Sequence, residues 1–436
     1  MKKMKILNNR FIQNTGWLIG GQIAQMVISL FVGMITARYL GPSNYGILNY
    51  TASFTAFFTP FCTLGFNGII VKELISSKEE QGEIVGTCMV FRLISSMVSV
   101  FAILLLVLLL NPGDMLLLRV SMLQSISLIF NIFDTIDFWF QSRLESKYTS
   151  VMRIIAYIVT AIYKIMLLIS GKSVEWFAFA NTLDVIVLAI LLWAVYKRKH
   201  APRLKSSFQR GKNMLKVSYN FIISGIMVAC YGQMDKIMLG KMLDLTSVGL
   251  YSTALYICSL WTFVLNAIMN SANPLIFEAK KISDQLYKKR IVQLYAAIIW
   301  ISFGVAIVFC IFAKWIILIL YGEDYLGAIT PFRIITWYTA FSFLGSARNS
   351  WLVCEGKAKY EKYFAGIGAL CNFILNIVLI SLIGMNGAAI ATLLTQIITN
   401  FVAPAFFKET RENSKFIVQA FVLKDLLKNM RNKGAI

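Results

Sequence analysis

The chain holds a single histidine, His200, so no histidine metal site or histidine pair for acid–base work is available. Charge is sparse as well: Asp, Glu, Lys and Arg together make up 14% of the residues, against about 25% in an ordinary soluble domain. The seven cysteines (Cys62, Cys88, Cys230, Cys258, Cys310, Cys354 and Cys371) sit in or at the ends of apolar runs without paired spacing. They read as small buried hydrophobes, which excludes a disulfide scaffold and a cysteine metal site. No nucleophile elbow occurs, and Gly171-Lys172-Ser173 is no phosphate loop, because Met166 stands where its first glycine belongs. No cofactor motif and no metal-ligand pattern is found. What the chain has in excess is apolar surface: 58% of 436 residues, about 250, are hydrophobic. One soluble core cannot use so many, whereas about twelve transmembrane helices of ~20 residues absorb roughly 240. A soluble enzyme and a disordered chain are both excluded, and a polytopic membrane protein is expected.

Acidic residues are the rarer sign of charge, 21 against 42 basic ones, for a net +21. Their distribution explains the excess. Lys2, Lys3, Lys5 and Arg10 precede the first apolar run, and every second loop is basic, among them Arg143-Lys147-Arg153, Lys280–Arg290 and Lys357-Lys359-Lys362. The intervening loops, such as Asn111-Pro112-Gly113-Asp114 and Gly384-Met385-Asn386-Gly387, carry little. This is the positive-inside pattern of an even number of spans with both termini cytoplasmic, and nucleic acid is not an expected partner.

Apolar stretches of spanning length fall near 13–37, 46–71, 84–110, 115–140, 149–170 and 174–196, then near 214–239, 248–277, 291–320, 330–354, 361–383 and 386–407. The sequence therefore divides into a six-helix lobe over 1–196, a basic cytoplasmic linker over 197–213, a second six-helix lobe over 214–408 and an amphipathic tail over 409–436. The halves echo each other. Arg38-Tyr39-Leu40-Gly41-Pro42-Ser43-Asn44-Tyr45-Gly46 aligns without gaps on Lys241-Met242-Leu243-Asp244-Leu245-Thr246-Ser247-Val248-Gly249, and Trp139 with Lys147-Tyr148 matches Trp351 with Lys359-Tyr360. An even-numbered unit duplicated in one orientation predicts an all-α fold of two lobes related by a pseudo-two-fold axis along the membrane normal, which is transporter architecture. In the tail, Phe416, Ala420, Leu423, Leu427 and Met430 share one helix face, which predicts a helix lying on the inner leaflet.

Ionisable groups inside the spans are the informative residues, since each costs roughly 2.5–3.5 kcal/mol at a helix centre on insertion scales. Arg92, Lys164 and Arg348 are the candidates for lining a cavity that takes an anionic solute, with Arg38 near a span end and the amides Asn131 and Asn270 as further substrate-binding candidates. Guanidinium forks suit phosphate oxygens and amides suit sugar hydroxyls. Asp134, Asp137, Asp184 and Asp235 are the candidates for coupling to an ion. Two other readings stand beside these: cations near span ends snorkel to the interface, and intramembrane charges pair with one another.

Ala37-Arg38-Tyr39-Leu40-Gly41-Pro42-Ser43-Asn44-Tyr45-Gly46, Leu320-Tyr321-Gly322-Glu323-Asp324-Tyr325 and Gly384-Met385-Asn386-Gly387-Ala388-Ala389-Ile390-Ala391-Thr392 resemble signatures of polysaccharide transporters in the MATE-like flippase superfamily, the Wzx-type flippases in particular. The resemblance runs from about residue 8 to 408. It implies a twelve-helix, two-lobed transporter around a cationic central cavity, moving undecaprenyl-pyrophosphate-linked oligosaccharides between leaflets of the cell membrane. A polysaccharide polymerase and a chain-length regulator would be its partners, beside membrane lipids. Such a protein converts nothing chemically and is no enzyme. Related lipid II flippases commonly have fourteen spans. A MATE-type drug or metabolite exporter is the alternative, and would favour the carboxylates over the cations. On the cavity reading, neutralising Arg92 or Arg348 should reduce export at normal protein abundance.

Overall fold

A segment inside lipid must satisfy its own backbone hydrogen bonds, so apolar runs of this length fold as helices. The computed structural model describes residues 2–199 and 201–422, residues 2–15, 18, 19, 22 and 24 by backbone alone. Among these residues no strand occurs. Helices of nine residues or more are numbered α1 (Lys2–Thr63), α2 (Gln81–Leu110), α3 (Met115–Ser125), α4 (Asp134–Ser142), α5 (Ser146–Ile169), α6 (Val174–Arg198), α7 (Phe208–Met242), α8 (Leu245–Leu260), α9 (Thr262–Ile282), α10 (Asp284–Tyr321), α11 (Tyr338–Cys354), α12 (Glu361–Ile383), α13 (Met385–Ile397) and α14 (Arg411–Phe421). Among the described residues, ten stretches are long and apolar enough to cross a membrane, against twelve expected. Two local breaks account for the difference. The first two expected spans run through α1, which is interrupted at Gly41 (φ 69°, ψ 169°). The span expected near 330–354 is divided between a helix at Ile329–Ile335 and α11, each too short to count alone.

Contacts group the chain into two units, Met1–Ala229 and Cys230–Ile436, with the division inside α7 and past the expected linker. Local structure repeats between the units at the echoed motifs. Gly41 breaks α1 with a positive φ that glycine adopts without strain, and Pro42, lacking an amide hydrogen, suits the first turn that follows. The aligned position in the second unit is Asp244, in extended backbone. Its Oδ1 accepts from the Ser247 amide at 2.7 Å and caps α8. The second echo is closer. α4 ends with Leu144 at φ 57° and α11 with Gly356 at φ 66°. The amide of Glu145 donates to the Phe140 carbonyl at 2.9 Å, and that of Lys357 to the Leu352 carbonyl at 2.7 Å. Tyr148 N–H then reaches the Glu145 carbonyl at 3.1 Å and Tyr360 N–H the Lys357 carbonyl at 3.0 Å. Each residue of the second set stands the same number of positions after its counterpart. A cation covers the tryptophan in both: Arg143 lies 4.3 Å from the Trp139 ring and Lys357 lies 4.8 Å from the Trp351 ring.

The first unit packs Trp139, Phe140, Ile84, Val85, Ile70 and Leu192 into one core, and Trp139 Nε1 donates to Gln81 Oε1 at 3.1 Å. Residues 201–207, expected as a basic loop, form a strap laid along the start of α2. Lys205 N–H donates to the Gly82 carbonyl at 3.2 Å, Ser207 N–H to Thr87 Oγ1 at 3.0 Å, and Tyr196 OH to the Pro202 carbonyl at 3.0 Å. Gly82 and Gly86 allow this approach, because a Cβ there would meet the carbonyl oxygens of Arg203 and Lys205 at 2.3 and 2.2 Å. His200 lies outside the described residues. In the second unit Tyr287, Ile291, Tyr295, Trp351 and Phe364 form the core, joined by Phe416, Ile417 and Ala420 of α14. The face of Phe416 and Ala420 expected on the leaflet is therefore turned into protein, anchored by Asn413 donating to Tyr295 OH. Leu423, Leu427 and Met430 lie outside the described residues.

Candidate functional site

In the first unit, α5 carries Arg153, Tyr157, Thr160 and Lys164 at spacings of four, three and four, which puts all four on one helix face. Every one of them meets a polar partner. Arg153 Nη2 lies 3.3 Å from Asp134 Oδ1 and 3.1 Å from Asp137 Oδ2, both on α4. Gln25 Nε2 of α1 bonds to Tyr157 OH. Thr160 Oγ1 donates to Asp184 Oδ1 at 3.2 Å and Lys164 Nζ to Asn181 Oδ1 at 3.0 Å, both on α6. Beside this stripe, Arg92 of α2 is buried and donates through Nη1 to Thr135 Oγ1 at 3.0 Å. Arg92, Arg153 and Lys164 oppose Asp134, Asp137 and Asp184, so the formal charges balance. A lobe with a standing positive cavity is not what these side chains build. They build a paired ladder, which is how a chain tolerates ionisable groups among apolar ones.

The second unit holds a different arrangement. Asp235 of α7 is 3% exposed, and all four of its hydrogen-bonding partners are neutral. Oδ1 accepts from Asn372 Nδ2 at 2.9 Å and Asn376 Nδ2 at 2.6 Å. Oδ2 lies 2.6 Å from Tyr251 OH and 2.5 Å from Thr392 Oγ1, which are themselves 2.7 Å apart. Two hydroxyl hydrogens cannot serve those three contacts and also the Ala388 carbonyl, 3.0 Å from Thr392 Oγ1. Asn376 Oδ1 is buried without a partner among the described residues. A buried carboxylate that meets two hydroxyl oxygens on one side, beside an unpartnered amide oxygen, has the chemistry to hold a proton or a small monovalent cation.

The other sequence candidates are placed as follows. Arg348 is 1% exposed and both of its terminal nitrogens are engaged within the unit, while Nε is buried without a partner among the described residues. Nη2 pairs with Glu361 Oε2 at 2.9 Å, Nη1 donates to the Thr399 carbonyl at 2.9 Å and Asn400 Oδ1 at 3.1 Å, and the guanidinium lies 4.4 Å from the Phe364 ring. It joins helices here, where the sequence predicts a cavity residue. The π-turn at Ile398–Val402 presents the carbonyl it uses. Arg38 is exposed beside the Gly41 break, Asn131 is half-buried in the turn before α4, and Asn270 is exposed on α9; none joins the ladder or the cage. The ladder brings together Arg92, Lys164, Asp134, Asp137 and Asp184. Arg153, assigned from sequence to a basic loop, is its centre, and Tyr157, Thr160, Asn181, Tyr251 and Thr392 were also missed. The 4-3-4 spacing of polar residues in an otherwise apolar α5 was the signal that could have found the first three.

Ten spanning stretches, repeated local structure in two units and paired ionisable groups inside the spans define a polytopic transporter fold. Solved structures have that fold. The lipid II flippase MurJ in an inward closed conformation matches with a TM-score of 0.70 at 15% identity, over 93% of this chain and 92% of that one. An inward-facing multidrug resistance MATE family transporter of the MOP superfamily matches with a TM-score of 0.66 at 13% identity, over 90% and 95%. The chain belongs to the polysaccharide biosynthesis protein family, whose profile matches residues 11–280. The teichuronic acid biosynthesis protein TuaB of Bacillus subtilis (strain 168) is 19% identical over 245 residues, 56% of this chain and 51% of that protein. The chain thus spans about half the length of the curated relative it matches.

Proposed function

We propose that the protein is a flippase carrying undecaprenyl-pyrophosphate-linked oligosaccharide repeat units from the inner to the outer leaflet for surface polysaccharide synthesis, by alternating access. The observation that carries this reading is membership of the polysaccharide biosynthesis family in a chain with the fold of a lipid II flippase. Physics supports it. The lipid tail can stay in the bilayer, but a pyrophosphate and its sugars need a polar path, since hydrocarbon offers them no hydrogen bonds. Two negative charges moving outward across an inside-negative membrane gain roughly 2.3 kcal/mol each per 100 mV. Arg153 and Lys164 are the cations within reach of phosphate oxygens, with Arg92 buried behind them against Thr135, and the Asp235 cage is the candidate coupling site for a proton or sodium ion. On this reading the protein sits in the plasma membrane with both termini cytoplasmic, and hands its cargo to a polymerase and its chain-length regulator.

Reconstitution tests the proposal. Proteoliposomes containing a fluorescent polyprenyl-pyrophosphate oligosaccharide should make the inner-leaflet pool accessible to an external quencher within minutes. No movement under either polarity of membrane potential or ion gradient would exclude the flippase. The second reading, a cation-coupled exporter, is favoured by the Asp235 cage and by the MATE fold. Stabilisation of the detergent-solubilised protein by cationic dyes, with none by the glycolipid, would select it.

A further inference from the structure

Arg153 is the one cation of the ladder shared by two carboxylates, and the group keeps an open side: the side chains of Arg153 and Asp134 retain 37% and 33% of their exposure. Asp137 is different. It is 8% exposed, Oδ2 takes the guanidinium, and Oδ1 is buried with no partner among the described residues. An ionised carboxylate in that position depends on Arg153 for its only strong contact. Neighbours offer little relief. Arg92 on α2 spends Nη1 on Thr135, Asp184 on α6 takes Thr160, Lys164 takes Asn181, and Tyr157, on the same helix as Arg153, takes Gln25 of α1. If Arg153 turned toward another anion, Asp137 would be a buried charge without a counter-ion, and such a group takes a proton rather than stay ionised.

We infer that Arg153 is a phosphate-binding residue and that Asp134 and Asp137 are its resident counter-ions, displaced by the pyrophosphate of the substrate with uptake of one proton at Asp137. This deepens the flippase reading and rests on it. The balance is simple: a guanidinium–carboxylate contact breaks, a guanidinium–phosphate contact forms, and one proton passes from solvent to the carboxylate. No other bond changes. The three side chains then carry one net negative charge when empty and attract an anion only as the carboxylates are discharged. Such a site differs from a permanently cationic cavity in releasing its cargo when they ionise again.

The test uses the purified full chain in detergent, with a polyprenyl pyrophosphate as probe and the uncharged polyprenol as control. Affinity is measured from pH 5.5 to 8 for the wild type, Asp137→Asn and Arg153→Gln, with thermal unfolding as a check on folding. The probe's own titration is common to all three proteins, so only differences between them count. The wild type should gain affinity on acidification more steeply than Asp137→Asn, by up to about tenfold per pH unit. Asp137→Asn should bind tightly at pH 8, and Arg153→Gln should lose its preference for the pyrophosphate over the polyprenol. Should a variant not fold, the wild type alone decides: binding in weak buffer should take up about one proton, whereas a phosphate meeting a fixed cation would release protons. Equal pH slopes, proton release on binding, or an Arg153→Gln protein with undiminished preference each overturn the switch while leaving the flippase standing. A wild type that binds no polyprenyl pyrophosphate at any pH overturns both.

Discussion

Arg348 Nη2 stands 2.9 Å from Glu361 Oε2, and this contact ties α11 to the first turn of α12. The same guanidinium reaches the Thr399 carbonyl and Asn400 Oδ1, while Asn400 Nδ2 donates to Gln396 Oε1 at 2.7 Å. One cation thereby closes the network among three helical segments. Removing it leaves a carboxylate, a carbonyl and an amide oxygen without their donor.

Arg348→Ala should therefore act on stability first. Breaking a buried ion pair by removing one partner costs about 3–5 kcal/mol. Membrane abundance and the unfolding temperature of the solubilised protein should both fall, and export should fall in proportion. Glu361→Gln, which keeps an acceptor oxygen for the guanidinium, should cost much less. Normal abundance with export abolished in Arg348→Ala would return Arg348 to the transport path.

The strap over α2 gives a second prediction. A Cβ at Gly86 would lie 2.2 Å from the Lys205 carbonyl oxygen and 3.0 Å from its carbonyl carbon, so backbone must move. Gly86→Val should lift residues 201–207 and cost about 1–3 kcal/mol, as overpacking does. Limited proteolysis should then cut within the strap at protease levels that leave the wild type intact. Unchanged cleavage would mean the strap is held by its helices and not by the glycine bed.

Gly41 tests the break inside α1 on separate grounds. No atom lies within 4 Å of a Cβ built there, so space is not the constraint, and the positive φ is. Gly41→Ala and Gly41→Asn should both destabilise by about 1–3 kcal/mol, because a positive φ with ψ near 169° is a conformation essentially only glycine adopts. Unfolding curves of the two variants against the wild type would read the cost. Equal stability of the alanine variant would mean that α1 can straighten through this point.

Much of the fold was legible because it follows from local chemistry. Length and hydropathy fix which stretches span, and the echoes at Gly41/Asp244 and Trp139/Trp351 mark where each half breaks its helices. Long-range pairing was not legible in the same way. Arg348 looked like a cavity residue because its partner Glu361 stands at the edge of the next expected span, and Arg153 looked like a loop residue because apolarity begins just after it. Which side chain meets Asp235 depends on how α7, α8, α12 and α13 pack, and the Asn372–Asn376 spacing alone does not say so. Glycines 82 and 86 gave no warning of the strap, since a glycine in a membrane helix usually marks helix packing.

The Asp235 cage separates charge from hydrogen bonding, which makes Asp235→Asn the decisive substitution there. Asparagine keeps an oxygen for Asn372 and Asn376, and its amide can donate to Tyr251 OH or Thr392 Oγ1, since hydroxyls also accept. The cage should survive and the unfolding temperature should change little, whereas Asp235→Ala, which takes the shared acceptor away from all four partners, should lower it clearly. Only the charge is lost in the asparagine variant, and with it the means of holding a monovalent cation or exchanging a proton. If the cage couples transport, the wild type should gain thermal stability on replacing choline by sodium, by an amount that follows ligand concentration over its dissociation constant. Asp235→Asn should show no such response and should no longer follow an imposed ion gradient in proteoliposomes. A variant that keeps both the response and gradient-driven movement would leave Asp235 as a packing device and place coupling in the ladder of the other unit.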